Sequence, residues 1–170
     1  LYRESGAGQQ EPLLLELRYN TSGVHRRVAV AVAAMWKQVL GVSTELVNEE
    51  WKVFVNNRRL GIVTQVFRGG WIADYADPSS FLDLFIGDSN LNNTFYAGLR
   101  YDELLGSAAE ASGAERMELL RQAEAQLMQD MPVIPLYYYV SRHLVNPAVG
   151  GYEDNVRDIH LSRYLNLETP

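Results

Sequence analysis

At 170 residues, with 47% hydrophobic and 21% charged side chains, the chain can bury a real core, which excludes a disordered polar segment. A formal net charge of −6, with 15 Lys and Arg in no dense cluster, repels phosphate backbones and anionic headgroups, so nucleic acid is a poor partner. The absence of cysteine excludes a disulfide framework, a thiolate zinc site and a cysteine nucleophile, and it leaves the compartment open.

The opening Leu1-Tyr2-Arg3-Glu4 is no signal peptide and lacks a Met, as expected of a processed or cut piece, and no apolar run approaches the roughly 20 residues that span a bilayer. After the polar breakers Gly6 to Pro12, the run Leu13 to Tyr19 predicts a buried strand. From Ser22, Val24, Val28, Val32, Met35, Trp36, Val39 and Leu40 recur at three and four, so a helix is predicted that Gly41 closes. Val42 to Val47 returns to β-branched residues. Strand, helix and strand with tight connections make a βαβ unit with parallel strands, which fixes the class as α/β.

Asn48 is expected to cap a second helix with Glu49 and Glu50 in its first turn, and Gly61 to end it before a third strand, Ile62 to Phe67. Asp77-Pro78 reads as the start of a short helix through Ile86. A polar loop, Gly87 to Gly98, leads to a helix from Tyr101 to Ala111. Ser112-Gly113-Ala114-Glu115 is a capping box opening a helix with Leu119, Leu120, Ala123, Leu127 and Met128 on one face. Val133 to Val140 predicts a strand in which Pro135 removes one ladder donor. The tail breaks at Asn146-Pro147, Gly150-Gly151 and Asn155, with a short element expected near Leu161 to Leu165.

Catalytic machinery is not visible. His25, His143 and His160 stand far apart in sequence without a paired ligand spacing, so no metal site and no cofactor are expected. Asp88 to Asn93 begins like a calcium loop, but Asn93 and Leu99 stand where that loop needs Gly and Glu, so an Asx-rich turn is expected. No nucleophile elbow, phosphate-binding glycine loop or dinucleotide fingerprint occurs. Asp74 and Asp77 could form an acid/base pair, but Asp77 before Pro78 is better explained as a cap. Around Trp71, two aromatics and a carboxylate follow a glycine-rich turn at the end of a parallel strand, where open α/β sheets bind ligands. Packing by Trp71 and Tyr75, with Asp74 capping a turn, explains the same pattern.

Gly70-Trp71-Ile72-Ala73-Asp74-Tyr75-Ala76-Asp77-Pro78-Ser79-Ser80-Phe81 resembles the cleft segment of oligopeptide-binding proteins in the peptide and nickel solute-binding family. Tyr19-Asn20-Thr21-Ser22, Glu50-Trp51-Lys52, Asn92-Asn93-Thr94, Pro135 to Val140, and Val149-Gly150-Gly151-Tyr152 are similar to the same family in the same order. The resemblance implies one lobe of a two-lobed periplasmic-binding-protein-like (class II) fold, a mixed sheet with βαβ units flanked by helices. Residues 1–170 would be a partial C-terminal lobe, with the N-terminal lobe absent.

It further implies a periplasmic or extracytoplasmic protein that captures oligopeptides between its lobes for ABC-importer permeases, without catalysis. Asp74 would receive the peptide's α-ammonium group, the backbone near Gly70 and Ile72 would pair with the peptide as an added strand, and Trp51, Trp71 and Tyr75 would line the cleft. Arg68 matches a position that receives the peptide's C-terminal carboxylate. A second such arginine is Arg58 counting from Trp51, and Arg59 counting back from Trp71. Ile72 replaces the cysteine of well-known members but would serve through its backbone. The alternatives are a binder of dipeptides, murein peptides or nickel complexes, or a sensor or enzyme that has borrowed the lobe.

Overall fold

The computed structural model describes residues 4–6, 12–61 and 65–167, and the chain divides into two compact units, Leu1–Gly70 and Trp71–Pro170. In the first, β1 (Leu14–Asn20), α1 (Gly23–Leu40), β2 (Ser43–Glu49), α2 (Trp51–Leu60) and β3 (Val66–Phe67) follow one another. The three strands form a parallel sheet in the order β2-β1-β3, with Leu17 beside Leu46 on one side and Val66 on the other. This is the α/β class expected from the βαβ pattern, and the three-stranded sheet is parallel throughout its described residues.

Strand alternation sends neighbouring residues of β1 to opposite faces. Leu17 and Tyr19 bury on one face with Ala29 and Val32 of α1 and with Leu46 and Val66. On the other face Arg18 pairs with Glu16 and Glu49, and Glu49 accepts a 2.8 Å bond from Asn57 of α2. Phe67, opposite Arg18 in register, meets the fully buried Phe54 of α2 edge-on at 5.8 Å. Helices therefore cover both faces, one by an apolar stripe and one by a polar network beside an aromatic pair.

The ends of α1 agree with the sequence. Ser22 Oγ accepts from the His25 amide, and Gly41 takes φ 73°, a left-handed conformation that glycine adopts without strain. Gly61 likewise ends α2. The predicted cap Asn48 is corrected: pairing of Tyr19 with Asn48 and of Asn20 with Glu49 carries β2 two residues further, and Glu50 becomes the cap, accepting from the amides of Lys52 and Val53. Of the predicted third strand, Val66 and Phe67 are found, and residues 62–64 lie outside the described residues.

In the second unit, α3 (Ser79–Leu82) runs into a 3-10 turn at Asp83–Phe85, followed by α4 (Leu99–Glu110) and α5 (Gly113–Asp130). Leu82, Tyr101, Leu104, Leu105, Ala108, Leu120, Ala123 and Leu127 form its core, and the buried Tyr101 hydroxyl donates to the Leu82 carbonyl at 2.6 Å. The Asx turn expected at Asp88 to Asn93 is organised by Asn92. Its Oδ1 accepts from the amide and hydroxyl of Thr94, and its Nδ2 donates to the carbonyls of Phe85, Ile86 and Tyr96. The capping box at α5 is corrected too: Ser112 makes no side-chain cap bond, and Gly113 enters the helix at φ 57°, outside the helical conformation that a capping box requires of its first residue.

Val133 to Val140 is not a strand. It joins neither sheet among the described residues, and Ile134, Leu136, Tyr138 and Val140 are exposed. A strand exists only by pairing, and β propensity does not supply a partner. The tail closes with β4 (Val149–Gly150) antiparallel to β5 (Asn166–Leu167), after a 3-10 turn at Ser162–Tyr164. Among the described residues no helix is long and apolar enough to cross a membrane.

Candidate functional site

The order β2-β1-β3 places a switch point between β1 and β3, since the chain leaves β1 toward β2 and returns on the other side as β3. Open α/β sheets hold ligands outside the carboxyl ends of strands at such a point. Here that edge carries Asn20 and the first turn of α1 after β1, and Arg68 to Gly70 after β3. The Arg68 amide donates to the Arg18 carbonyl at 2.8 Å, extending the ladder past β3. The Arg68 guanidinium folds over Gly70, where a Cβ would meet it at 2.9 Å.

Basic and aromatic groups share this unit. Trp51 opens α2 beyond the end of β2, is half exposed, and stacks on Phe54 at 6.3 Å. The Arg58 guanidinium lies 5.5 Å over the same Phe54 ring, a cation–π geometry. Its Nε is buried without a hydrogen-bond partner among the described residues, whereas Arg59 is exposed. Burial, followed by the charge of Arg68, pushes the Arg58 guanidinium below its ordinary pKa. The same two causes lower His25, which the sequence did not single out. Trp51 and Arg58 are thus brought together around Phe54, with Arg68 near enough to Arg58 for its charge to be felt.

Trp71, Ile72, Asp74 and Tyr75 belong to the second unit, in the irregular segment before α3, and all four are exposed. Two aspartates three residues apart divide their roles. Asp77 accepts from the Ser79 amide at 2.9 Å and receives both ends of the Arg116 guanidinium at 2.7 and 2.8 Å. Arg116, then the Ser79 amide, hold its carboxyl well below the usual carboxylate range. The expected capping role of Asp77 is present; Arg116, 39 residues away, gave no sequence signal.

The Asp74 amide donates to the buried Ser80 hydroxyl at 2.8 Å, which fixes the backbone there. Its carboxylate has no hydrogen-bond or ion-pair partner among the described residues and caps no turn. Tyr75 shares a 3.2 Å hydroxyl contact with Ser79 and donates to Asp83 at 3.5 Å. Burial raises the Asp83 carboxyl above its ordinary pKa.

One sequence expectation is revised by distance. His143 and His160 meet, ring centroids 5.2 Å apart, and both contact Asp158, while His25 lies in the other unit.

Residues 2–93 match the family model described as bacterial extracellular solute-binding proteins, family 5, middle region. Over 153 residues the chain is 43% identical to the periplasmic oligopeptide-binding protein OppA of Salmonella typhimurium, a match covering 89% of this chain and 28% of that protein. It is 38% identical over 169 residues to the periplasmic murein peptide-binding protein MppA of Escherichia coli, covering 98% and 31%. Among solved structures, Haemophilus influenzae OppA in complex with RPPGFSPFR superposes with a TM-score of 0.88 at 34% identity, covering 99% of this chain and 33% of that one. The chain spans about three-tenths of the length of these curated relatives.

Proposed function

The chain belongs to family 5 of the bacterial extracellular solute-binding proteins, and from that premise we propose that it is part of the C-terminal lobe of an oligopeptide-binding protein, which captures peptides in the periplasm or another extracytoplasmic space and delivers them to ABC-importer permeases. The observation that carries this reading is the division between the two aspartates of the Trp71 segment. Asp77 is consumed by Arg116 and Ser79, while Asp74 sits on a fixed backbone with its carboxylate unspent among the described residues. An unpaired carboxylate beside exposed aromatics suits a peptide α-ammonium group.

In this reading the main chain at Gly70 and Ile72 pairs with the extended peptide, so affinity need not depend on the peptide's side chains. Trp51, Trp71 and Tyr75 line side-chain pockets. Arg68 and Arg58 receive the C-terminal carboxylate, and Arg58 is favoured over Arg59 by its position on Phe54 and its unbonded Nε. The protein binds and releases without catalysis. The partial-lobe assignment of residues 1–170 is supported by the share of the relatives that the chain spans, and by the exposed apolar segment around Tyr138 that joins no sheet among the described residues. The absent N-terminal lobe closes the cleft. Similarity to MppA favours a murein peptide as the second ligand reading.

Calorimetry on the full-length protein tests this with tri- to pentapeptides bearing free or acetylated N-termini, and with a murein tripeptide. Free-amine peptides bind saturably, and acetylation weakens them by about 100-fold or more, as expected when one member of a desolvated ion pair is lost. Equal affinity for the two forms removes the ammonium site, and binding of the murein tripeptide alone selects the second reading.

A further inference from the structure

The tail of the second unit brings His143 to Asp158, 15 residues further along the chain, and to His160, which follows Asp158 by two. His143 Nε2 lies 2.7 Å and His160 Nε2 3.2 Å from the same oxygen, Asp158 Oδ1. One ligand atom from each residue falls within 4.8 Å of the others. We propose that His143, Asp158 and His160 form a binding site for one divalent metal ion of the zinc class.

The donor set decides the class of ion. Two imidazoles and one carboxylate suit borderline divalent transition metals, while calcium and magnesium prefer all-oxygen cages. A tetrahedral ion with bonds of about 2.0 to 2.1 Å sets its ligands roughly 3.3 Å apart. The two His–Asp separations bracket the range from hydrogen bond to ligand edge, so a small opening admits the ion. Three protein ligands leave a further position for water or an anion.

The surroundings hold these side chains in place. The Ser141 hydroxyl donates to Asp158 Oδ2 at 2.7 Å, which turns Oδ1 toward the imidazoles. Tyr152 stacks on His160 with centroids 4.0 Å apart and planes 13° apart, and its ring lies 5.6 Å from His143. The Tyr152 hydroxyl is buried without a hydrogen-bond partner among the described residues. Asn155 makes a two-way bond with the backbone of Ile159, and its carbonyl accepts from the Asp158 amide at 3.0 Å. Asp158 itself takes φ 53°, uncommon outside glycine. An open concavity of about 510 Å³, with Ser141, His143, Tyr152 and Asp154 in its wall, gives an ion access from solvent. Arg142 lies on the same wall, a counter-charge for an anion in the remaining position.

The test is a zinc titration of metal-stripped full-length protein by calorimetry, with cobalt absorption as the spectroscopic readout. One ion per chain binds at micromolar affinity or tighter, and calcium and magnesium do not compete. His143→Ala and His160→Ala each abolish the site, and Ser141→Ala, which removes only the hydrogen bond to Asp158, weakens it by about 10- to 100-fold. Should the variants unfold, histidine-ring NMR of the unsubstituted protein decides: cobalt broadens the His143 and His160 signals together, saturating at one ion per chain. Failure to saturate at millimolar zinc, or a stoichiometry unchanged in both histidine variants, overturns the proposal and leaves a pair of imidazoles on one carboxylate. The outcome is independent of peptide binding.

Discussion

The turn around Asp77 and the turn around Asp158 each collect donors about one carboxylate, yet the donors differ in what they can surrender. Asp77 faces the Arg116 guanidinium, which keeps its charge at every accessible pH, so the pair is a fixed strut between the start of α3 and the first turn of α5. Asp158 faces a hydroxyl and two imidazoles, and an imidazole nitrogen can exchange a hydrogen bond for a metal ion. One acceptor type thus gives a permanent joint in one place and an exchangeable one in the other. Asp74, three residues before Asp77, is a third case, a carboxylate on a fixed backbone with no donor of its own among the described residues.

The largest effect is expected where the donor is missing. In the intact protein, Asp74→Asn removes the charge and keeps the shape, leaving a buried peptide ammonium unpaired. That costs about 3 to 5 kcal/mol, or about a 100- to 3,000-fold loss of peptide affinity, while the melting temperature of the unliganded protein stays the same. Combined with an N-acetylated peptide, the two losses overlap and sum to less than their total. Free-amine peptides bound within about threefold of wild type, a difference of roughly 0.7 kcal/mol, would reassign Asp74 to a purely local role.

Asp77 is expected to behave in the opposite way, with stability affected and peptide affinity spared. Asp77→Ala loses the bond to the Ser79 amide and strands Arg116, and the capping part alone costs about 0.5 to 2 kcal/mol. The Asp77 carboxyl titrates lower in the folded chain than in the unfolded one, so this stabilisation is complete above about pH 4 and fades as the pH falls further. Thermal melts should show a gap between wild type and variant that is constant from pH 7 to about 5 and narrows below about 4. A gap that persisted unchanged at the acid end would mean that Asp77 acts through packing and not through its charge.

The contrast also explains what the sequence made legible. The ends of α1 and the left-handed glycines 41 and 61 are local signals that the structure follows, whereas of the predicted stripe Val28, Val32 and Trp36 are partly buried and Val24, Met35, Val39 and Leu40 are exposed. The cap of α2 moved from Asn48 to Glu50 because strand pairing two residues away extended β2, which periodicity within one segment cannot register. The same limit hid Arg116 from Asp77, and His143 from Asp158 and His160, since these meet across 39 and 15 or more residues without a repeating pattern. Val133 to Val140 failed for the converse reason: its composition is that of a strand, but pairing depends on a neighbour that the described residues do not provide. The segment from Gly70 to Phe81 was singled out by resemblance, with Asp77 already read as a cap; the bidentate Arg116 and the lack of a donor to the Asp74 carboxylate among the described residues emerged only with the hydrogen bonds.

The smallest effect concerns the two serines that precede the long helices, one in each unit. Both sequences advertise a cap, and Ser112 the stronger one, because Glu115 completes a capping box. In the structure the ranking reverses: Ser22 Oγ accepts from the His25 amide at 3.4 Å, a long bond, and Ser112 makes none. Ser22→Ala should therefore cost about 0.5 kcal/mol, the low end of the capping range, and Ser112→Ala should stay within about 0.5 kcal/mol of zero. Denaturant melts of the two variants decide it. A loss of about 1 kcal/mol or more at Ser112 would mean that the box closes in solution, with Gly113 leaving its positive φ so that the serine can reach the amide of Glu115.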